Sequence, residues 1–136
     1  MNARTYLIQI RDLKEDIQRI QTEIRMIDLK NQSPGAVRYD RIRVQSASEN
    51  MMEQGILQKL KAVKRLEKVL DIYTQKYNQI IAEINGLENR TNRKILKLYY
   101  LDGMSVRKIS KKLNYSEDWT YHLLTRARRE FAQKYL

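Results

Sequence analysis

The sequence predicts an all-α protein, in which a long antiparallel helical hairpin is followed by a compact C-terminal domain of short helices. Three observations lead to this prediction. The 136 residues include only four Gly and one Pro, which leaves little material for strands joined by turns. Two long segments repeat apolar residues at spacings of three and four, as amphipathic helices do. The last third of the chain contains short apolar segments separated by residues that cap helices.

The first long segment has the apolar pattern of a coiled-coil seam. Its apolar residues follow one another at spacings of four and three: Tyr6, Ile10, Leu13, Ile17, Ile20, Ile24 and Ile27. Most residues between them are charged or amide-bearing, as expected of a solvated exterior. A helix of this length is marginal alone in water, so the pattern predicts a partner helix.

A long connection follows the first helix. The run Asn31-Gln32-Ser33-Pro34-Gly35 ends that helix because it combines Pro and Gly. Residues 31–48 then form a loop of unusual length for a compact domain. The alternation at Val37, Tyr39, Ile42 and Val44 leaves a short strand open, and a flexible tip is the simpler interpretation.

The second long helix is predicted from about Ser48-Glu49 to Asn85. Its apolar series is Met52, Ile56, Leu60, Val63, Leu66, Leu70, Tyr73, Tyr77, Ile80 and Ile84. Two complementary stripes joined by one loop favour an antiparallel hairpin. The second helix is longer than the first, so apolar surface remains for another chain, and we expect a homodimer through the coiled coil.

Asn85-Gly86 separates the hairpin from the C-terminal part. We therefore expect two domains, with residues 1–86 forming the helical oligomerisation region, loop 31–48 included, and residues 87–136 forming a helix-turn-helix domain. Asn89 or Thr91 is expected to begin the first helix of that domain.

The C-terminal part contains the local signals of a helix-turn-helix. Gly103 supplies a left-handed conformation that stops the helix of residues 95–101. Ser105 and Ser116 each cap a short helix, and Asn114 tolerates the left-handed turn between them. Two short helices across a tight turn form the unit that places its second helix in the DNA major groove.

This part of the chain resembles region 4 of bacterial sigma factors. The matching residues are Ile95-Leu96-Lys97-Leu98-Tyr99-Tyr100, Gly103-Met104-Ser105, Ile109, Leu113-Asn114-Tyr115-Ser116 and Arg126-Ala127. Two positions depart from the family pattern: Asn114 replaces the usual turn Gly, and Thr120 stands where Val or Ile is common.

The resemblance implies which residues would contact DNA. Residues near the start of the recognition helix would reach base edges: Glu117, Asp118, Trp119, Tyr121, His122 and Thr125. The alternative is that Glu117 and Asp118 only complement the helix dipole, and that Trp119 packs on the domain.

The clustered cations would contact phosphates: Lys94, Lys97, Arg107, Lys108, Lys111, Lys112, Arg126, Arg128 and Arg129. Leu123 or Leu124, Ala127 and Phe131 are expected in the core.

Charge is concentrated where the DNA contacts are expected. The chain has a formal net charge of +11. Residues 90–136 contain twelve Lys/Arg against four Asp/Glu, whereas residues 1–89 contain fifteen against twelve, so the two parts carry +8 and +3. A concentrated positive field of this kind is typical of surfaces that bind phosphates. Double-stranded DNA is therefore the predicted partner.

Several other functional classes are disfavoured. The chain has no Cys and one His, which argues against disulfides and against a transition-metal site. It has no Gly-rich phosphate loop and no catalytic triad, so we expect neither an enzyme nor a cofactor. No stretch approaches the ~18 apolar residues of a membrane span. We expect a protein of the bacterial cytoplasm, associated with the nucleoid.

The overall arrangement is similar to phage late-gene regulators of the RinA/ArpU type. The segment Tyr39-Asp40-Arg41-Ile42-Arg43-Val44-Gln45-Ser46 also resembles a short segment of that family. The resemblance implies a phage or prophage activator of late genes that acts at promoters with host RNA polymerase. Two alternatives stay open: a small terminase-like subunit that recognises DNA for packaging, and a module that docks on RNA polymerase without reading DNA.

Overall fold

The computed structural model describes the backbone of residues 1–31 and 46–136 and the side chains of residues 1–28 and 51–136. In this described part all regular secondary structure is helical, and there is no strand. Its elements are α1 (Ala3–Asn31), α2 (Ser46–Asn85), α3 (Arg90–Leu96) with a π-helical continuation (Lys97–Leu101), α4 (Val106–Leu113) and α5 (Glu117–Tyr135). The strand considered at 37–44, and the family-like segment that begins at Tyr39, lie outside the described residues.

The two long helices begin and end close to the predicted positions. Asn2 caps α1, because its Oδ1 accepts a hydrogen bond of 2.8 Å from the backbone N–H of Thr5. The helix then continues to Asn31, where the break was expected. α2 begins at Ser46, two residues before the predicted Ser48, and ends at Asn85 as predicted. None of the described helices is long and apolar enough to cross a bilayer.

The chain forms two compact units. The first joins Met1–Glu15 with Thr74–Leu136, and the second is Asp16–Tyr73. This grouping differs from the predicted division after residue 86, because the beginning of α1 and the end of α2 both pack with the C-terminal helices. The functional division of the chain stays a prediction.

The first compact unit has one apolar core to which every helix contributes. From α1 come Ala3, Tyr6, Leu7 and Ile10, from α2 Ile80 and Ile84, and from the C-terminal helices Ile95, Leu96, Ile109, Leu124, Ala127 and Phe131, among others. Leu7 is completely buried although it lies off the predicted seam. Both Leu123 and Leu124 are buried, together with Ala127 and Phe131, as the sequence predicted.

The last turn of the third helix differs from a regular α-helix. Residues Lys97–Leu101 are π-helical, and the backbone N–H of Asp102 donates to the carbonyl of Lys97 at 2.9 Å. α1 supplies side chains to the carbonyls of this turn: Arg11 Nη2 donates to the Tyr99 carbonyl at 2.6 Å, and Lys14 Nζ reaches the Leu101 carbonyl at 3.5 Å. Cationic donors at a helix C-terminus satisfy free carbonyls and oppose the helix dipole, so they stabilise this turn.

The second compact unit consists of the remaining parts of α1 and α2, and its described side chains are only partly buried. Among the described side chains of this unit, Ile20 on α1 is the one apolar residue that is buried. Ile17, Ile24 and Ile27 on the same helix are half-buried. On α2, Val63, Leu66, Leu70 and Tyr73 are half-buried, and Met52, Ile56 and Leu60 remain 44%, 52% and 51% exposed. Two helices alone therefore leave much of the predicted apolar stripe of α2 in contact with solvent.

Candidate nucleic-acid interface

α4 and α5 are joined by a short turn whose conformation agrees with the sequence prediction. Asn114 has φ 59° and ψ 41°, in the left-handed region, and Gly103 before α4 has φ 67°. The Oγ of Ser105 accepts from the N–H of Lys108 at 3.2 Å, and that of Ser116 accepts from the N–H of Trp119 at 3.1 Å. Both predicted N-caps and the left-handed turn are confirmed. These local interactions fix where α5 begins.

Thr120 sets which face of α5 points inward. Its side chain is completely buried, and its Oγ1 donates to the Ser116 carbonyl at 2.9 Å. The hydroxyl is therefore satisfied within the first turn of the helix, and its burial carries no unpaired polar group. Because Thr120 faces inward together with Leu124 and Ala127, the opposite side of α5 faces solvent.

The residues predicted to read bases all lie on the exposed surface of α5: Glu117, Asp118, Trp119, Tyr121, His122 and Thr125. Helical periodicity places Asp118, His122 and Thr125 directly opposite the buried face, while Trp119 and Tyr121 lie on its two flanks. Trp119 and Tyr121 are 45% and 58% exposed. Trp119 therefore lies on the surface of the unit and not in its core, and both interpretations of this residue stay open.

Trp119 and His122 form a stacked pair on this surface. Their ring centroids are 5.2 Å apart and the ring planes differ by 28°. Thr125 is less free to rotate, because its Oγ1 donates to the Tyr121 carbonyl at 3.0 Å. The pair combines an apolar indole with an imidazole that has two nitrogen atoms. This combination is suited to contact with a base edge that carries both a methyl group and hydrogen-bonding atoms.

Most of the predicted phosphate-binding cations are exposed. Arg107, Lys108, Lys111 and Lys112 lie on the exposed side of α4, opposite the buried Val106 and Ile109, and Lys94, Arg126 and Arg129 are also exposed. Lys97 and Arg128 are half-buried. Seven of the nine predicted cations are thus accessible along their side chains to a polyanion.

Arg128 also has a role within the protein. Its Nε donates to the Tyr100 hydroxyl at 2.8 Å, and its guanidinium carbon lies 5.4 Å from the Tyr99 ring centroid. Burial raises the pKa of Tyr100, and the hydrogen bond from Arg128 opposes that increase. The guanidinium therefore joins α5 to the π-helical segment, whatever other contact it makes.

Residues outside the predicted domain also support this surface. Arg11 lies 4.9 Å from the Tyr99 ring centroid, in addition to its hydrogen bond with the Tyr99 carbonyl. Tyr99 and Tyr100 form an edge-to-face pair with centroids 4.8 Å apart, and both Arg11 and Arg128 contact this pair. The sequence assigned Arg11 only to a solvated face. No local pattern identifies it, because its partner is 88 residues away.

Comparison with known families identifies the chain at the level of its family. Residues 33–132 match the model of a family described as "Protein of unknown function (DUF1492)". The chain belongs to this family. The DUF1492 match begins before α2 and extends almost to the end of α5, so one family model includes the second long helix and the candidate interface together. No curated protein and no solved structure was found to match the chain.

Proposed function

We propose that this protein is a sequence-specific DNA-binding transcriptional activator of phage or prophage late genes, which acts at promoters with host RNA polymerase. The observation that carries the proposal is the construction of α4 and α5. Two serine-capped helices meet at a left-handed Asn114 and present an exposed polar face beside a group of cations. In this proposal the helices form a helix-turn-helix similar to sigma region 4, and the protein is of the RinA/ArpU type.

The two helices have different tasks in this proposal. α5 enters the major groove, where Asp118, His122 and the flanking Trp119 contact base edges. The cations of α4 contact phosphates, which fixes the register of α5 on the duplex without specifying sequence. Support for this division comes from the burial pattern, because Thr120 and Leu124 face inward and leave the opposite side of α5 free.

The second compact unit joins two copies of the chain in this proposal. The exposed apolar residues Met52, Ile56 and Leu60 recur every fourth position along α2, so they lie on one face. A second copy would cover them and produce a homodimer through a coiled-coil hairpin. The dimer would set the separation of two DNA half-sites, in multiples of about one helical turn.

The proposal is tested by recovering DNA from the source genome. Sheared genomic DNA is incubated with the full-length protein at roughly 150 mM salt, a concentration at which binding through phosphates alone is weakened. The bound fragments are then sequenced. Enrichment of one site upstream of a promoter for phage structural genes is the expected result. Enrichment away from every promoter, or no enrichment, would contradict the proposal.

A further inference from the structure

α2 carries a stripe of four cations in the second compact unit, far along the chain from the candidate interface. Lys61, Lys64, Arg65 and Lys68 follow the spacing i, i+3, i+4 and i+7, which places them on one face of the helix. All four side chains are exposed. We call these four residues the α2 cationic stripe.

The stripe lies on the side of α2 opposite its apolar face. Val63, Leu66 and Leu70 are half-buried and define the apolar side, whereas the stripe residues between them are exposed. A partner helix on the apolar face would form ion pairs with residues that flank that face, not with residues on the opposite side. The stripe therefore stays accessible when the apolar face is covered.

The arrangement is unfavourable for the helix itself. Four pairs of like charges stand three or four residues apart within the stripe: Lys61–Lys64, Lys61–Arg65, Lys64–Lys68 and Arg65–Lys68. Like charges at these spacings destabilise a helix. The ion pair between Arg19 and Asp16 on α1 involves none of the four. Glu67 and Asp71 stand three residues after Lys64 and Lys68 and offset part of this repulsion. A polyanionic partner would relieve the remainder.

We propose that the α2 cationic stripe binds the phosphate backbone of double-stranded DNA, as a phosphate-binding surface separate from α4 and α5. This inference rests on the proposed DNA-binding function. From Lys61 to Lys68 the helix rises roughly 10 Å. One DNA strand carries a phosphate about every 3.4 Å along its axis, so the four cations match the charge density of the backbone. A protein partner would match these four cations equally well only if carboxylates were spaced this closely along one edge of its surface.

The experiment measures how the affinity of the full-length protein for a 60-base-pair duplex of random sequence depends on salt. The stripe variant is Lys64→Gln with Lys68→Gln. The control is Arg19→Gln with Arg25→Gln, which removes the same charge from exposed positions on α1 in the same unit. Each lost phosphate contact reduces the slope of log affinity against log salt by about 0.9, so the slope should fall by roughly 1.8 in the stripe variant and hardly change in the control.

Thermal unfolding shows whether the variants fold. The stripe variant should be no less stable than the wild type, because repulsion between like charges is removed.

A third variant separates this inference from the proposed function. Lys111→Gln with Lys112→Gln removes two exposed cations of α4. If this variant loses slope while the stripe variant and the control match the wild type, the stripe is only a solvated face and the inference is wrong. If the stripe variant loses slope while the α4 variant does not, the stripe binds DNA and the proposed role of α4 fails. If the wild-type protein shows no salt-dependent binding, both are overturned.

Discussion

Burial and a hydrogen bond together raise the pKa of Tyr6 to about 12. The Tyr6 hydroxyl donates to Glu83 Oε1 at 2.5 Å, which joins α1 to the end of α2. The neutral phenol is favoured in the folded protein, so the unfolded chain loses this proton first as pH rises above 10. The stability that Tyr6 contributes is therefore complete below pH 10 and is lost as pH rises through 12.

Replacing Tyr6 by Phe tests this contribution. At pH 9 the variant should have an unfolding free energy lower by about 1.5–3 kcal/mol, the usual net value of a hydrogen bond to a charged acceptor. The difference from the wild type should shrink between pH 10 and 12. Denaturant titrations at pH 9 and pH 11.5 measure both values. Tyr121→Phe, at an exposed position, is the control and should behave like the wild type at both. A difference of the same size at both pH values would show that the pKa of Tyr6 is not raised in the folded protein, and no difference at either pH would show that Tyr6 acts through packing alone.

Base contacts and phosphate contacts should respond differently to substitution. His122→Ala should relax the preference at one base position, because the side chain lies on the outward face of α5. Lys112→Ala should weaken binding similarly for all sequences and reduce the salt slope by about 1. Lys112 is a cleaner probe than Arg128, whose loss would also remove the bond to Tyr100. Binding to a randomised duplex library, followed by sequencing, distinguishes the two effects. Equal loss of specificity in both variants would contradict the proposed division between base contacts by α5 and phosphate contacts by α4.

At the scale of single elements, the accuracy of the sequence predictions depends on how far apart along the chain the interacting residues lie. The caps Ser105 and Ser116 and the left-handed Asn114 were predictable, because each interacts within a few residues of itself. The contacts of the π-helical turn at Lys97–Leu101 were not, since its carbonyls bind Arg11 and Lys14 from the other end of the chain. The burial of Leu7 was missed for the same reason, because a strict 4-3 seam excludes it.

Two glycines should respond to alanine in opposite ways. Gly55 lies inside α2 with nothing within 4 Å of an added Cβ, so Gly55→Ala should stabilise the helix by up to about 1 kcal/mol. Gly103 has φ +67°, a conformation that costs a residue with a Cβ about 1–2 kcal/mol, so Gly103→Ala should destabilise the protein. Thermal unfolding of the two variants beside the wild type measures both shifts. A loss of stability in Gly55→Ala would mean that α2 meets another surface at that position.

The exposed face of α2 predicts the oligomeric state. The double substitution Ile56→Glu with Leu60→Glu places two charges among the exposed apolar residues of α2 and should convert a homodimer to monomers, because charges are excluded from coiled-coil seams. Gln58→Glu adds a charge at an exposed position off this face and should leave the dimer intact. Sedimentation equilibrium measures the masses. A wild-type protein that is already monomeric would contradict the proposed dimer.

Across the whole molecule, the first residues of the chain and the helices of the candidate interface share one core. Leu7 of α1 is completely buried in the same core as Phe131 of α5. The predicted division after residue 86 stays a prediction, because shared packing does not show whether residues 87–136 fold without α1.

Leu7→Ala should therefore destabilise the helices that carry the candidate interface. Removing a fully buried Leu costs about 2–5 kcal/mol, because apolar contacts are lost and a cavity remains. Trp119, the single Trp of the chain, reports the unfolding of α5 through its fluorescence. Its transition should move to lower denaturant concentration in Leu7→Ala. Ile8→Ala is the matched control, because Ile8 is adjacent but 37% exposed, and it should shift the transition by much less. If both variants leave the Trp119 transition unchanged, α5 is stable without α1, and the C-terminal helices fold as the separate domain that the sequence predicted.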